Sequence, residues 1–150
     1  AHVISHQGYD VVGVDLTRVN HPYQSLVVMV LKDAIEFLKG YEDESVDIFL
    51  DSCSVTHFNF TSTTNDGWAS VFKSVKRILK PGGYFLVSSD IKFEKDAVGE
   101  FISPEVIVKT AEECGLTLTS EVDYNRDDAI SRTETGYGVL GVANFCFRKT

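Results

Sequence analysis

The sequence predicts an α/β fold built on a mostly parallel sheet that closes with antiparallel strands. Three observations carry this. Short β-branched runs alternate with helical segments from residue 10 to residue 115, the pattern of βαβ units. Two of the runs, Leu26–Leu31 and Val46–Leu50, are almost continuously apolar, as strands buried on both faces are. The last two strands, within 116–147, are joined by a loop without a helix, which implies antiparallel pairing at one edge. A length of 150 residues is that of one domain, expected to span 1–150.

The elements follow in order. Ala1–Gln7 reads as the tail of a helix stopped by Gly8. Asp10–Val14 is a strand, and Thr17–Gln24, polar and carrying Pro22, is a loop. Leu26–Leu31 is the second strand. Asp33–Lys39 is a short helix with Asp33 as its cap, Ile35 and Leu38 on one face and Gly40 as its stop. Glu42-Asp43-Glu44 is a solvated acidic turn. Val46–Leu50 is a strand ending at Asp51, and Asn59–Gly67 is a polar loop. Trp68, Val71, Phe72, Val75, Ile78 and Leu79 keep the spacing of an amphipathic helix. Its other face and last turn hold Lys73, Lys76, Arg77 and Lys80, where positive charge suits the dipole.

Pro81-Gly82-Gly83 reads as a turn that no helix can cross. Tyr84–Ser88 is a strand, and Ile91–Phe101 a loop or short helix. Ser103-Pro104-Glu105 is a helix start of cap, proline and first-turn acid. Val106, Ile107, Thr110, Ala111 and Cys114 form the packed face, and Gly115 ends it. Leu116–Tyr124 alternates as a half-buried strand does, Asn125–Gly136 is irregular, and Val139–Phe147 is the last strand.

The net charge of −8 repels phosphate backbones, so nucleic acid is disfavoured as the main partner. No apolar run approaches the roughly 18–20 residues that span a bilayer, so no membrane role is expected. Cys53, Cys114 and Cys146 are too far apart for a zinc or redox motif. Cys114 and Cys146 read as small core residues in a reducing compartment, which points to the cytoplasm. His2, His6 and His21 lack metal-ligand spacing, and Asp127, Asp128 and Glu134 read as solvated charge.

The carboxylates at strand ends are the chemically suggestive feature. Gly8-Tyr9-Asp10-Val11-Val12-Gly13-Val14-Asp15-Leu16 is a strand ending on an acid. Ligands of open α/β sheets sit beyond the carboxyl ends of the strands, and two carboxylate oxygens suit two vicinal ribose hydroxyls. Asp33 and Asp51 end the next two apolar runs.

Three segments carry a resemblance: Gly8–Leu16; Ser45-Val46-Asp47-Ile48-Phe49-Leu50-Asp51-Ser52; and Phe72–Val87, with its basic helix ending in Leu79-Lys80-Pro81-Gly82-Gly83 before an aromatic strand. Over nearly its whole length the chain resembles the class I S-adenosylmethionine-dependent methyltransferases. The resemblance implies a Rossmann-like sheet, S-adenosylmethionine as cofactor, and a small-molecule or protein methyl acceptor. It implies that Asp15 accepts from the ribose hydroxyls and that Leu16 packs on the adenine. Asp33 would face the adenine amino group with the backbone of Ala34 beside it. Asp51 and Ser52 would lie near the methionine part and the methyl group. His57, with an unperturbed pKa near 6.5, is a candidate general base. Phe58, Phe60 and Trp68 are candidates for lining an acceptor pocket.

Each role has a plainer alternative. Asp15 could cap the next turn, Leu16 could be core, Asp33 is already a helix cap, and His57 could be a loop histidine. Cys53 has no evident base to activate it as a nucleophile. The strand and glycine-rich turn that the family places before the first segment are not found, since Gly8 and Gly13 do not form that motif. The expectation is therefore an N-terminally incomplete sheet. Its exposed strand edges would pair with each other or with a second chain, and a homodimer is favoured. Two rival functions stand: a non-catalytic binding or assembly subunit of the same fold, and a nicotinamide-dinucleotide oxidoreductase.

Overall fold

The computed structural model describes residues 7–17, 27–55, 67–92, 103–122, 133–135 and 138–150. Contacts divide the chain into two compact units, Ala1–Tyr41 and Glu42–Thr150. No helix among the described residues is long and apolar enough to cross a membrane.

In the first unit, β1 (Val12–Asp15) and β2 (Val28–Leu31) pair in parallel, Asp15 opposite Leu31. The ladder continues past both ends, from Val28 N to Val11 O and from Lys32 N to Asp15 O. A Cβ at Gly13 would sit 2.5 Å from Met29 Sδ, so a side chain there displaces the flexible end of Met29. The helix α1 (Ala34–Gly40) follows, with Asp33 as its cap. The Asp33 carboxylate accepts from Glu36 N at 3.0 Å, satisfying one of the amides left unpaired at a helix start. Leu38 is its buried residue, as the spacing predicts, and Phe37 stacks obliquely on Tyr41.

The second unit holds a five-stranded sheet. Its elements are β3 (Val46–Ser52), α2 (Gly67–Ile78), β4 (Leu79–Lys92), α3 (Pro104–Glu113), β5 (Leu116–Leu118), β6 (Thr133–Thr135) and β7 (Gly138–Lys149). The strand order is β3-β4-β7-β5, with β6 also on β7. β3 is parallel to β4, and β7 runs antiparallel to β4, β5 and β6. The mostly parallel alternation with an antiparallel close is thus the observed architecture.

One sheet face carries the core. Phe49, Phe85, Val87, Phe145 and Phe147 alternate along β3, β4 and β7, and α2 packs on them through Trp68, Phe72 and Val75. Phe72 is fully buried, with ring centroids 5.5 Å from Trp68, 5.5 Å from Phe85 and 6.1 Å from Phe147. Edge-on aromatic contacts add to area burial. α3 contributes Ile107 and Ala111, both fully buried. The opposite face exposes Ile48 and Leu50 to about half their area, and Tyr84 to 39%.

The Pro81-Gly82-Gly83 segment differs from its sequence reading. The helix does end at Ile78, but β4 starts at once, at Leu79, and runs through the tripeptide. Val46 pairs with Leu79 and Ile48 with Tyr84. Three more residues therefore lie on β4 than on β3 between those pairs, so the segment is a bulge. The neighbours hold it in place. Lys80 Nζ meets Asp47 at 2.9 Å, and Lys149 Nζ donates to Leu79 O at 2.7 Å and to Glu44 at 3.0 Å. Gly82 adopts a left-handed φ of 78°. At Gly83 a Cβ would lie 2.9 Å from Lys80 O and 3.0 Å from Asp47 O, both backbone atoms. Gly83→Ala is therefore expected to force the bulge open at a cost of about 1–3 kcal/mol. A lowered midpoint in urea unfolding would report it.

Other boundaries shift. β4 extends to Lys92, so Ile91 is a buried strand residue and no longer the start of a loop. β5 stops at Leu118 rather than Tyr124. Glu134, within a segment read as irregular, lies in β6. Residues 1–6, 18–26, 56–66, 93–102, 123–132 and 136–137 lie outside the described residues. So do His2, His6, His21, His57, Phe58, Phe60, Asp127 and Asp128.

Candidate functional site

In the first unit, four of the sequence-predicted residues come to one end of a parallel strand pair. Asp15 closes β1 and Leu31 closes β2 in register. Neighbouring strands lie about 4.8 Å apart, so the two carboxyl ends are side by side. Asp33 and Ala34 come next along the chain from β2, and Leu16 from β1. Asp15 is exposed, and its Oδ1 accepts from Thr17 N at 2.9 Å and Thr17 Oγ1 at 3.2 Å. The turn-capping alternative is thus realised, on one oxygen. Leu16 is 73% exposed and Leu31 54%, so Leu16 is not core among the described residues. Ala34 is half-buried at the first turn of α1, and Asp33 caps that turn. The arrangement offers an exposed carboxylate, a second carboxylate at a helix start, and two uncovered leucines. A polar hydroxylated group and a flat apolar one can be held side by side by such a set.

In the second unit, Asp51 and Ser52 end β3 on opposite faces. Asp51 is buried, 9% exposed, and shares the helix-covered face with Phe49 and Val87. Its Oδ2 accepts from Val55 N at 2.9 Å. Ser52 is exposed and stands opposite Ser88, whose hydroxyl donates to Asn144 Oδ1 at 2.6 Å. An open cavity of about 370 Å³ lies at these strand ends, lined by Leu50, Asp51, Ser52, Ser88, Asn144 and Cys146 among others.

Between these two residues and Val55 the backbone turns sharply. Cys53 adopts φ 61°, the left-handed region, and its N–H donates to Ser88 O at 2.9 Å. Burial pushes the Cys53 thiol up, and the Asp90 and Asp51 carboxylates push it further. A thiol raised in the fold favours its protonated state. The fold's preference is therefore intact below the ordinary thiol range and is lost as pH rises through the folded value. Cys53 is consequently a poor nucleophile at neutral pH. Iodoacetamide at pH 8 is expected to alkylate Cys53 more slowly than free cysteine, read by peptide mass spectrometry. A rate above that of free cysteine would contradict the burial account. Cys53, Cys114 and Cys146 are all free thiols.

The remaining sequence candidates divide. Trp68 lies in α2, 3% exposed and edge-on to Phe72, so it is a core residue and not a pocket wall. His57 lies outside the described residues. Sequence reasoning missed Ser88, Asn144 and the Asp51–Val55 bond. Asn144 had a signal, being a polar amide inside the otherwise apolar Val139–Phe147 strand.

The family profile that matches the chain, over residues 1–87, is described as a methyltransferase domain. No curated protein matches. Among solved structures, the [4+2]-cyclase SpnF superposes with a TM-score of 0.72 at 14% identity, covering 98% of this chain and 68% of its own. A 1,6-didemethyltoxoflavin-N1-methyltransferase of Burkholderia thailandensis, solved with 1,6-didemethyltoxoflavin and S-adenosylhomocysteine bound, gives 0.66 at 17% identity, with 97% and 63% covered. A SAM-dependent methyltransferase of Methanosarcina mazei gives 0.64 at 15% identity, with 98% and 85% covered. At such identities the superpositions speak for the fold.

Proposed function

The chain belongs to the methyltransferase-domain family, whose cofactor is S-adenosylmethionine, and on that premise we propose that it takes part in methyl transfer to a small molecule or a protein. One observation carries this reading beyond the family: Asp15 and Asp33 stand at the adjacent carboxyl ends of a parallel pair. The residue types fit the adenosyl group. The second oxygen of Asp15 accepts from a ribose hydroxyl, Leu16 covers one face of the adenine, and Asp33 with Ala34 meets the adenine edge. Asp51 and Ser52, at the close of β3, are proposed as further cofactor-binding residues. When bound, the cofactor supplies an electrophilic methyl group on a sulfonium. The chain's own contribution is alignment, which supplies most of the acceleration in an in-line transfer. His57 is proposed as the base for an acceptor hydroxyl.

The three free thiols support a reducing, cytoplasmic setting, and the charge of −8 supports a non-nucleic-acid acceptor. Residues 1–150 are proposed as one domain. Self-association is proposed at β3. Among the described strands it pairs only with β4, while Ile48 and Leu50 are exposed on a strand lacking the lysines or prolines that guard edges. A scattering mass of one chain at micromolar concentration would rule this out.

A second reading has a specific support. The SpnF neighbour is a cyclase by its description, so one fold serves more than one chemistry, and a non-catalytic binding subunit is its limiting case. Thermal shift separates the readings. S-adenosylmethionine at millimolar concentration should raise the unfolding midpoint by several degrees through binding to the native state, and NAD should not. A shift with NAD alone would replace the proposal with an oxidoreductase.

A further inference from the structure

We infer that β3 is an isologous interface: two copies of the chain pair antiparallel about a two-fold axis at Ile48, joining their five-stranded sheets edge to edge. The inference deepens the association at β3 proposed above and rests on it. The backbone decides which groups are available. Ser45 N–H donates to Ile78 O and Cys53 N–H to Ser88 O, both at 2.9 Å. Amides alternate in direction along a strand, so the odd-numbered residues of β3 address β4. The N–H and C=O groups of Val46, Ile48 and Leu50 therefore point to the other edge, where no described strand pairs with β3. The same residues share one sheet face, on which Ile48 is 48% and Leu50 54% exposed. The strand's charges do not guard this edge. Asp47 is paired with Lys80 at 2.9 Å, and Asp51 is buried and bonded to Val55 N.

Self-pairing then fixes the register. Opposed side chains of an antiparallel pair lie on one face. Centred on Ile48, that residue meets its own copy and Val46 meets Leu50, so every apolar residue of the open face is matched. On the other face Asp47 meets Phe49, and Ser45 meets Asp51. A pair centred on Asp47 sets that carboxylate against itself and Leu50 against Glu44. Centred on Phe49, it sets Asp47 against Asp51 and Val46 against Ser52. Centred on Leu50, it sets Ile48 against Ser52 and leaves Val46 beyond the end of the strand. A centre between two residues opposes an outward amide to an inward one. Like charges directly opposite destabilise a strand pair and matched apolar side chains stabilise it, so the Ile48 register alone meets both demands.

Cross-linking, hydrogen exchange and sedimentation of the full chain test this. Opposed residues that exchange hydrogen bonds have Cα atoms about 5.5 Å apart, within the span of a disulfide. Ile48→Cys should therefore give a covalent dimer joined at residue 48 under mild oxidation, identified by peptide mass spectrometry. Wild-type chain, with its free Cys53, Cys114 and Cys146, sets the background. Leu50→Cys should give no such dimer, because the two copies of residue 50 lie roughly 13 Å apart along the strands. Cross-linking at 50 and not at 48 would overturn the register. Exchange needs no substitution. The Ile48 and Leu50 amides should exchange at least about tenfold more slowly in the dimer than in diluted chain, while the Phe49 and Asp51 amides, which address β4, should not change. Equal protection of Ile48 and Leu50 at every concentration would overturn the proposal, since another part of the chain would then hold the edge. Ile48→Lys brings two ammonium groups together at the axis and should raise the dimer dissociation constant by about tenfold or more. A dimer that Ile48→Lys leaves intact, or a wild-type mass of one chain, would defeat association at β3 as a whole. A dimer that Ile48→Lys dissociates but that cross-links at 50 would leave that association standing and defeat the register.

Discussion

Asp15→Ala is expected to weaken S-adenosylhomocysteine binding by roughly 10- to 100-fold while leaving the fold in place. The size follows from hydrogen bonds to a charged acceptor, worth about 1.5–3 kcal/mol each, at about 1.4 kcal/mol per decade of affinity. The fold should survive because Asp15 is exposed at the end of a strand, and the bonds it makes, to Thr17, are local. Asp15→Asn refines the test. An amide oxygen can keep the Thr17 turn, but the amide nitrogen replaces the oxygen that would accept from the ribose. If Asn binds nearly as well as Asp, Asp15 shapes its turn and does not grip the sugar. Calorimetry on the three proteins, with circular dichroism as the control for folding, distinguishes these outcomes.

Phe72→Ala should produce the largest loss of stability of any single truncation in the second unit. Phe72 is fully buried at the centre of the aromatic layer, with Trp68, Phe85 and Phe147 around it. Truncation of a buried phenylalanine costs about 3–5 kcal/mol through lost transfer energy and the cavity left behind. Domains of this size are stable by only about 5–15 kcal/mol, so a large share of native stability would go. Phe72→Leu should recover much of it, since it keeps most of the apolar volume. Urea midpoints with an unchanged m-value would confirm a loss of packing. A loss below about 1 kcal/mol for Phe72→Ala would contradict the aromatic core as described.

Much of the fold was legible because local signals and tertiary needs agreed. Asp33 reads as a cap from its place before Ala34–Gly40, and its carboxylate makes that bond. The Trp68–Ile78 spacing states its buried face directly, and those residues are the ones against the sheet. The continuous apolar runs of β2 and β3 announced parallel strands, but the burial on both faces that such runs predict is not met among the described residues, where Val28, Leu31, Ile48 and Leu50 are exposed. Where the reading failed, long-range partners overrode local preference. Proline and two glycines signal a turn, yet residues 81–83 bulge within a strand because Asp47, Glu44 and Lys149 hold both sides of the junction. The alternation of Leu116–Tyr124 suggests a long strand, but the described pairing with β7 ends at Leu118. At the candidate site, the place of Asp15 at the end of β1 was legible from the β-branched run before it. The work of Asp51 was not, because its bond to Val55 depends on a left-handed Cys53, and cysteine carries no such signal in a sequence.

We propose that Asp15 and Asp33, at the ends of a parallel strand pair, hold an adenosyl group. Calorimetric titration of the chain with S-adenosylhomocysteine is expected to show one-site binding in the micromolar range. No heat at millimolar ligand, from chain that circular dichroism shows to be folded, would contradict it.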